Sequence, residues 1–159
     1  MKIAVVNAGD DEFGIDVGRV VKILKSQNIH MLPQLPPFLA GVINIREEVI
    51  PVVDFRKRFG IRPSMKKERI IVVRVGSEKI GLLVDGVKEI TNLQPGEISD
   101  PPSIFKGLKT EYMTGIGQRG ERLIVLLNLD RLLTSREKIQ LGEVISGPEG
   151  GEPEKGCQT

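Results

Sequence analysis

Apolar residues along this chain come in short bursts of four to eight, rich in Val, Ile and Leu. Each burst alternates with polar residues or runs on until a Gly, Pro or Asp cluster stops it. Runs of this length, branched at Cβ and bounded by turn residues, are strand patterns. They predict ten strands, at 2–6, 13–15, 20–24, 42–45, 49–55, 70–75, 79–84, 87–90, 113–117 and 123–127. Helix is confined to brief turns over 38–40, 54–59 and 129–133. Past Thr134 the chain turns polar and then rich in Gly, Pro and Glu, so 137–159 is expected to be a disordered tail holding Cys157.

The pattern also repeats. Phe13–Ile23 matches Ile80–Ile90 at an offset of 67, with Gly14 on Gly81 and apolar pairs 13/80, 15/82, 17/84, 20/87 and 23/90. Gly41-Val42, a polar turn and Val49–Phe55 match Gly115-Ile116, a polar turn and Leu123–Leu129 at an offset of 74. The same elements therefore occur twice, with about seven extra residues in one connection, where insertion is tolerated. Each half holds about five strands, and so small a sheet protects its edges best by curling into a barrel. The expectation is an all-β protein of two five-stranded barrel lobes within 1–136, at about 10–65 and 66–133, the first strand free to pair into the other lobe.

Composition narrows the functions open to such a fold. Forty per cent hydrophobic and 28% charged residues are ordinary for a soluble globular chain, and a net charge of +2 is too small for a phosphate-tracking protein. The basic runs Arg56-Lys57-Arg58 and Lys66-Lys67 read as solvated loops, and no Trp and a single Tyr leave little for base stacking. One histidine, His30, and one cysteine, Cys157, supply neither a catalytic constellation, a metal ligand set nor an intramolecular disulfide. No catalytic residue, cofactor or metal is expected. Asp85-Gly86 reads as a turn in which glycine takes positive φ. Gly115-Ile116-Gly117-Gln118-Arg119-Gly120 fits a dinucleotide pattern formally, but it leads into Leu123–Leu127, another strand, and so reads as a hairpin.

The segment Gly41-Val42-Ile43-Asn44-Ile45-Arg46-Glu47-Glu48-Val49-Ile50-Pro51-Val52-Val53-Asp54-Phe55-Arg56 resembles the signature of the CheW family. Phe13–Asp16, Val84–Val87 and Thr110-Glu111-Tyr112-Met113-Thr114-Gly115 fit the family too, so the likeness covers Met1 to about Leu133. It implies a double SH3-like barrel acting as a chemotaxis adaptor without catalytic activity. Its partners would be the regulatory domain of the histidine kinase CheA and the cytoplasmic tips of chemoreceptors, with no nucleic acid and with membrane reached only through receptors. That places the protein in the cytoplasm, at the inner face of the membrane.

By the same likeness Val17 and Val20 face the kinase; the competing expectation is core, since they repeat at Val84 and Val87. Asn44, Ile45 and Arg46 take the receptor or assembly side. Pro51 is expected to mark an edge or bulge, and Asp54 to cap the turn that follows. Two departures stand out: Glu47 replaces the family's usual glycine, and Lys22 stands where relatives carry a glutamate able to pair with Arg46. The alternatives are an adaptor of another chemosensory system, told apart by its receptors, and a nucleic-acid-binding barrel, whose affinity would fall steeply with salt.

Overall fold

The computed structural model describes residues 1–25, 29–31, 33, 39–54, 56, 68–100 and 112–132. Among these, eleven strands form two sheets: β1 (Lys2–Ala8), β2 (Asp11–Asp16), β3 (Val20–Lys25), β4 (Leu39–Ile45), β5 (Glu48–Asp54), β6 (Arg69–Val75), β7 (Glu78–Val84), β8 (Gly86–Asn92), β9 (Ile98–Ser99), β10 (Met113–Arg119) and β11 (Arg122–Leu127). All ten expected strands are present. The tail 137–159 and Cys157 lie outside the described residues, as does most of 54–59.

The sheets draw strands from both halves of the chain. One runs β8-β1-β2-β11-β10-β9 and the other β3-β6-β7-β5-β4. If the repeat is extended to β1 and β6, which share the 67-residue offset, each position of the second sheet has its counterpart in the first. The two halves have exchanged their leading hairpins: β1-β2 completes the later sheet and β6-β7 the earlier one. The registers agree residue by residue. Parallel pairing sets Leu126 against Gly14 in one sheet and Val52 against Gly81 in the other. A bulge interrupts β8 against β1 at Val5/Val6 and β3 against β6 at Val20/Lys22, at matching positions.

This exchange covers β1 and β6 on both faces. Ile3 and Val5 point into a cluster with Leu93, Ile124 and Leu126, while Ala4, Val6 and Ala8 point into a larger core shared by both sheets. On β6, Ile70 and Val72 join Ile43, Ile50, Val52 and Leu83, while Ile71, Val73 and Val75 enter the shared core. Burial on both faces explains why these strands read as continuous apolar runs. Each sheet thus curls around its own interior, and the shared core joins the two.

A buried ionic cluster adds a polar tie. Arg56, only 3% exposed, donates to Asp54 at 3.2 Å, to Asp85 at 3.0 Å and to Glu68 at 2.8 Å. Burial opposes its charge, but the hydrogen bonds to Asp54, Glu68 and Asp85 outweigh this and hold its pKa above the usual arginine value. The Asp54 carboxylate also accepts from the Arg56 backbone N–H at 3.0 Å, as a cap should. Asp85 accepts in turn from the Gly9 N–H at 2.6 Å, so the cluster links the β1-β2 turn of one sheet to the end of β5 in the other. At the far side, Arg119 on β10 grips Glu97 at 3.0 and 3.1 Å and also donates to Thr91.

Three local expectations change. Leu39 and Ala40 belong to β4 rather than to a helical turn, because Leu39 pairs with Val53 across a bulge. Gly86 does not take positive φ; the chain bends at Asp85 instead. Pro51 lies on an interior strand: its β4 partner Val42 spends its own N–H and C=O on His30, and the parallel ladder to β7 begins only at Val52, so no partner needs a proline N–H. Glu47 does accept positive φ, at 68°.

Three outcomes follow. Arg56→Ala strands buried carboxylates without their counter-charge and should cost about 3–5 kcal/mol in urea unfolding. Gly81→Ala and Gly14→Ala should each lower Tm in thermal unfolding: the new Cβ would lie 2.9 Å from Cγ2 of Ile70 at the first, and 2.9 Å from the ends of Ile3 and Leu126 and 3.2 Å from Cγ2 of Ile124 at the second. Glu97, hydrogen-bonded by Arg119 and by the Gln94 N–H, has its pKa lowered from 4.5 to about 2. Its stabilisation is therefore complete above about pH 4.5 and lost as pH falls towards 2, so Glu97→Gln should flatten the decline of Tm across that range.

Candidate functional site

The Ile45–Glu48 hairpin differs from its counterparts. Two-residue loops favour positive φ, which glycine adopts without strain, and three of these hairpins place glycine first: Gly9 (φ 62°), Gly76 (φ 63°) and Gly120 (φ 62°). Between β4 and β5 the loop is Arg46 (φ 51°) and Glu47 (φ 68°). Side chains in this region cost about 1–2 kcal/mol each. Arg46 stands at the position equivalent to Gly120, by the 74-residue offset. A cation is thus held at a place where the fold itself would favour glycine.

The strained turn brings that cation to the rim of a cavity of about 300 Å³ at the mouth of the β3-β6-β7-β5-β4 barrel. Its floor is Ile50 and Val72, both buried; its walls are Val21 and Ile45; its rim carries Lys22, Arg46, Lys79 and Glu48. Lys79 and Glu48 pair at 3.1 Å. Residues of both edge strands line it, Val21 and Lys22 from β3 and Ile45 from β4. Lys22 and Arg46 therefore share one opening, and with both cationic no bridge joins them.

The expected site residues separate into two groups. Ile45 and Arg46 line the cavity; Asn44, exposed, lies beside them opposite Val49. Val17 and Val20 are half-buried and pack against the shared core. Val17 sits in a short turn fixed by Asp16, which accepts from the Gly18 N–H at 2.9 Å, and by Arg19, which pairs with Asp130 at 2.7 Å. The β3 bulge turns Val21 and Ile23 outward, more exposed than Val20.

Sequence reasoning passed over another set. Ile23 and Ile90 are repeat equivalents, as are Val49 and Leu123, and all four are exposed apolar residues, Leu123 reaching 59%. Both barrels thus show apolar side chains at matching places. The repeat offsets pair these positions; their exposure depends on register. Among the described residues no group of three or more His, Cys, Asp or Glu is placed to hold a metal ion.

The family model described as CheW-like domain matches residues 2–137. "Chemotaxis protein CheW" of Klebsiella aerogenes is 34% identical over 131 residues, 81% of this chain and 79% of that protein. "Chemotaxis protein CheW" of Rhizobium meliloti is 33% identical over 132 residues, covering 82% and 85%. The crystal structure of scaffolding protein TtCheW from Thermoanaerobacter tengcongensis superposes with a TM-score of 0.77 at 33% identity, covering 84% of this chain and 87% of that one. With the duplicated β architecture and the match over 2–137, the chain belongs to the CheW-like domain family.

Proposed function

We propose that this chain is a non-enzymatic chemotaxis adaptor, coupling chemoreceptors to the histidine kinase CheA. The family match carries the role. Within the molecule, exposed apolar residues on both barrels support a protein that offers a partner surface on each. Val17 and Val20 form the inner part of the kinase-facing patch on the first half, with Val21 and Ile23 continuing it outward along β3. Asn44, Ile45 and Arg46 serve the receptor or assembly side. Because β3 borders both groups, kinase and receptor contacts lie near one another on a single rigid sheet.

Unlike faces on one adaptor allow a heterologous ring in which kinase domains and adaptors alternate. Many modest contacts then add up to a firm array. Among the described residues no helix is long and apolar enough to cross a membrane.

Titrating the regulatory domain of the kinase into this protein should give saturable binding. Val20→Asp should weaken it about tenfold or more. Val21→Asp, on an exposed side chain that folding does not require, should weaken it as well. No binding by the unaltered protein at high micromolar concentration would end the adaptor proposal.

A further inference from the structure

The two barrel mouths can be compared within one molecule, because the repeat assigns each charged residue a counterpart. On the β8-β1-β2-β11-β10-β9 sheet, Glu12 accepts from Arg122 at 2.9 Å and from Lys88 at 2.7 Å, and Arg122 also pairs with Glu89 at 3.1 Å. Two acids and two bases satisfy one another. At the other mouth Lys79 replaces Glu12, Glu48 replaces Arg122, Lys22 replaces Glu89, Val21 replaces Lys88, and Arg46 replaces Gly120. Among the described residues only Lys79 and Glu48 pair, and Lys22 and Arg46 have no ion-pair partner. The first mouth therefore holds an excess of two positive charges over an apolar floor, where its counterpart is balanced.

We propose that this mouth is a binding pocket for an acidic-apolar segment of a partner protein, whose carboxylate bridges Lys22 and Arg46 while its neighbouring apolar side chain fills the space above Ile50 and Val72. Charge complementarity selects the carboxylate, since an added anion restores the balance that the equivalent mouth achieves internally. The volume, about 300 Å³, suits one or two side chains rather than a folded element. Glu47, next on the turn, is not among the residues lining the cavity and does not occupy the rim itself. Arg46 keeps positive φ there at a cost to stability that Gly120 avoids. The pocket deepens the adaptor reading and rests on it only for the identity of the partner.

Short blocked peptides test the pocket without any assumed partner. In amide-resolved NMR titrations at millimolar peptide, acetyl-Leu-Glu-Leu-amide should shift the signals of Lys22, Ile45, Arg46 and Lys79 and leave those of Gly120 and Arg122 in place. Acetyl-Leu-Gln-Leu-amide should bind about tenfold more weakly, as should the acidic peptide to Lys22→Glu. Arg46→Gly and Glu47→Gly should both raise Tm by relieving the turn, but only Arg46→Gly should lose binding. A rise in Tm certifies that the variant is folded. Equal binding of both peptides, equal shifts at the two mouths, unchanged binding by Arg46→Gly or no shift in the unaltered protein would each overturn the pocket. The kinase-domain titration is independent: if it succeeds while the peptides fail, the pocket alone is wrong, and if it alone fails, the adaptor reading is wrong.

Discussion

Because β1 and β6 are apolar on both faces, neither can sit at the surface of a sheet. Each must lie between an interior of its own and a core shared with the other half, and this requirement organises the molecule. Exchange of the leading hairpins meets it: β1 and β6 each become the second strand of a sheet whose other strands, apart from those of their own hairpins, come from the opposite half. Neither half could bury these strands alone. Separate lobes joined by a linker would have left one face of each strand wet.

The Arg56 cluster works under the same constraint. A buried guanidinium costs several kcal/mol in lost hydration, which only well-placed carboxylates offset. Asp54, Glu68 and Asp85 provide them, and Asp85 extends the chain of hydrogen bonds to Gly9 in the other sheet. Hydrophobic burial alone would tolerate small slips between the sheets; directional contacts to a fixed fork do not. Register, more than raw stability, is what such a cluster supplies.

Much of this could be read from residues, and the remainder fails for definite reasons. Strands rich in Val and Ile, such as Ile70–Val75 and Leu123–Leu127, identify themselves, whereas Ile98–Ser99 is too short to show any period. Internal repetition reveals what elements recur but not which sheet receives them, so the exchange of hairpins escapes a linear reading. Asp54 was legible as a cap because its target is two residues away; its neighbour's bond to Asp85 spans 29 residues and was not. Likewise the departures at Lys22 and Glu47 were visible, while Lys79 and Glu48 entered the site only through the pairing of β5 with β7, which a linear reading does not supply. Val20 remained divided between core and surface because a bulge decides whether it or Val21 turns outward.

Duplication inside one polypeptide has a further effect. In a symmetric pair of identical chains, every substitution appears twice, and both ends must stay alike. Here Arg46 could arise without altering Gly120, and Lys22 without altering Glu89. Fusion thus frees the halves to diverge, turning a molecule built on near-symmetry into one with a head and a tail. A building block of that kind imposes direction on whatever lattice it joins, because its two ends are no longer interchangeable.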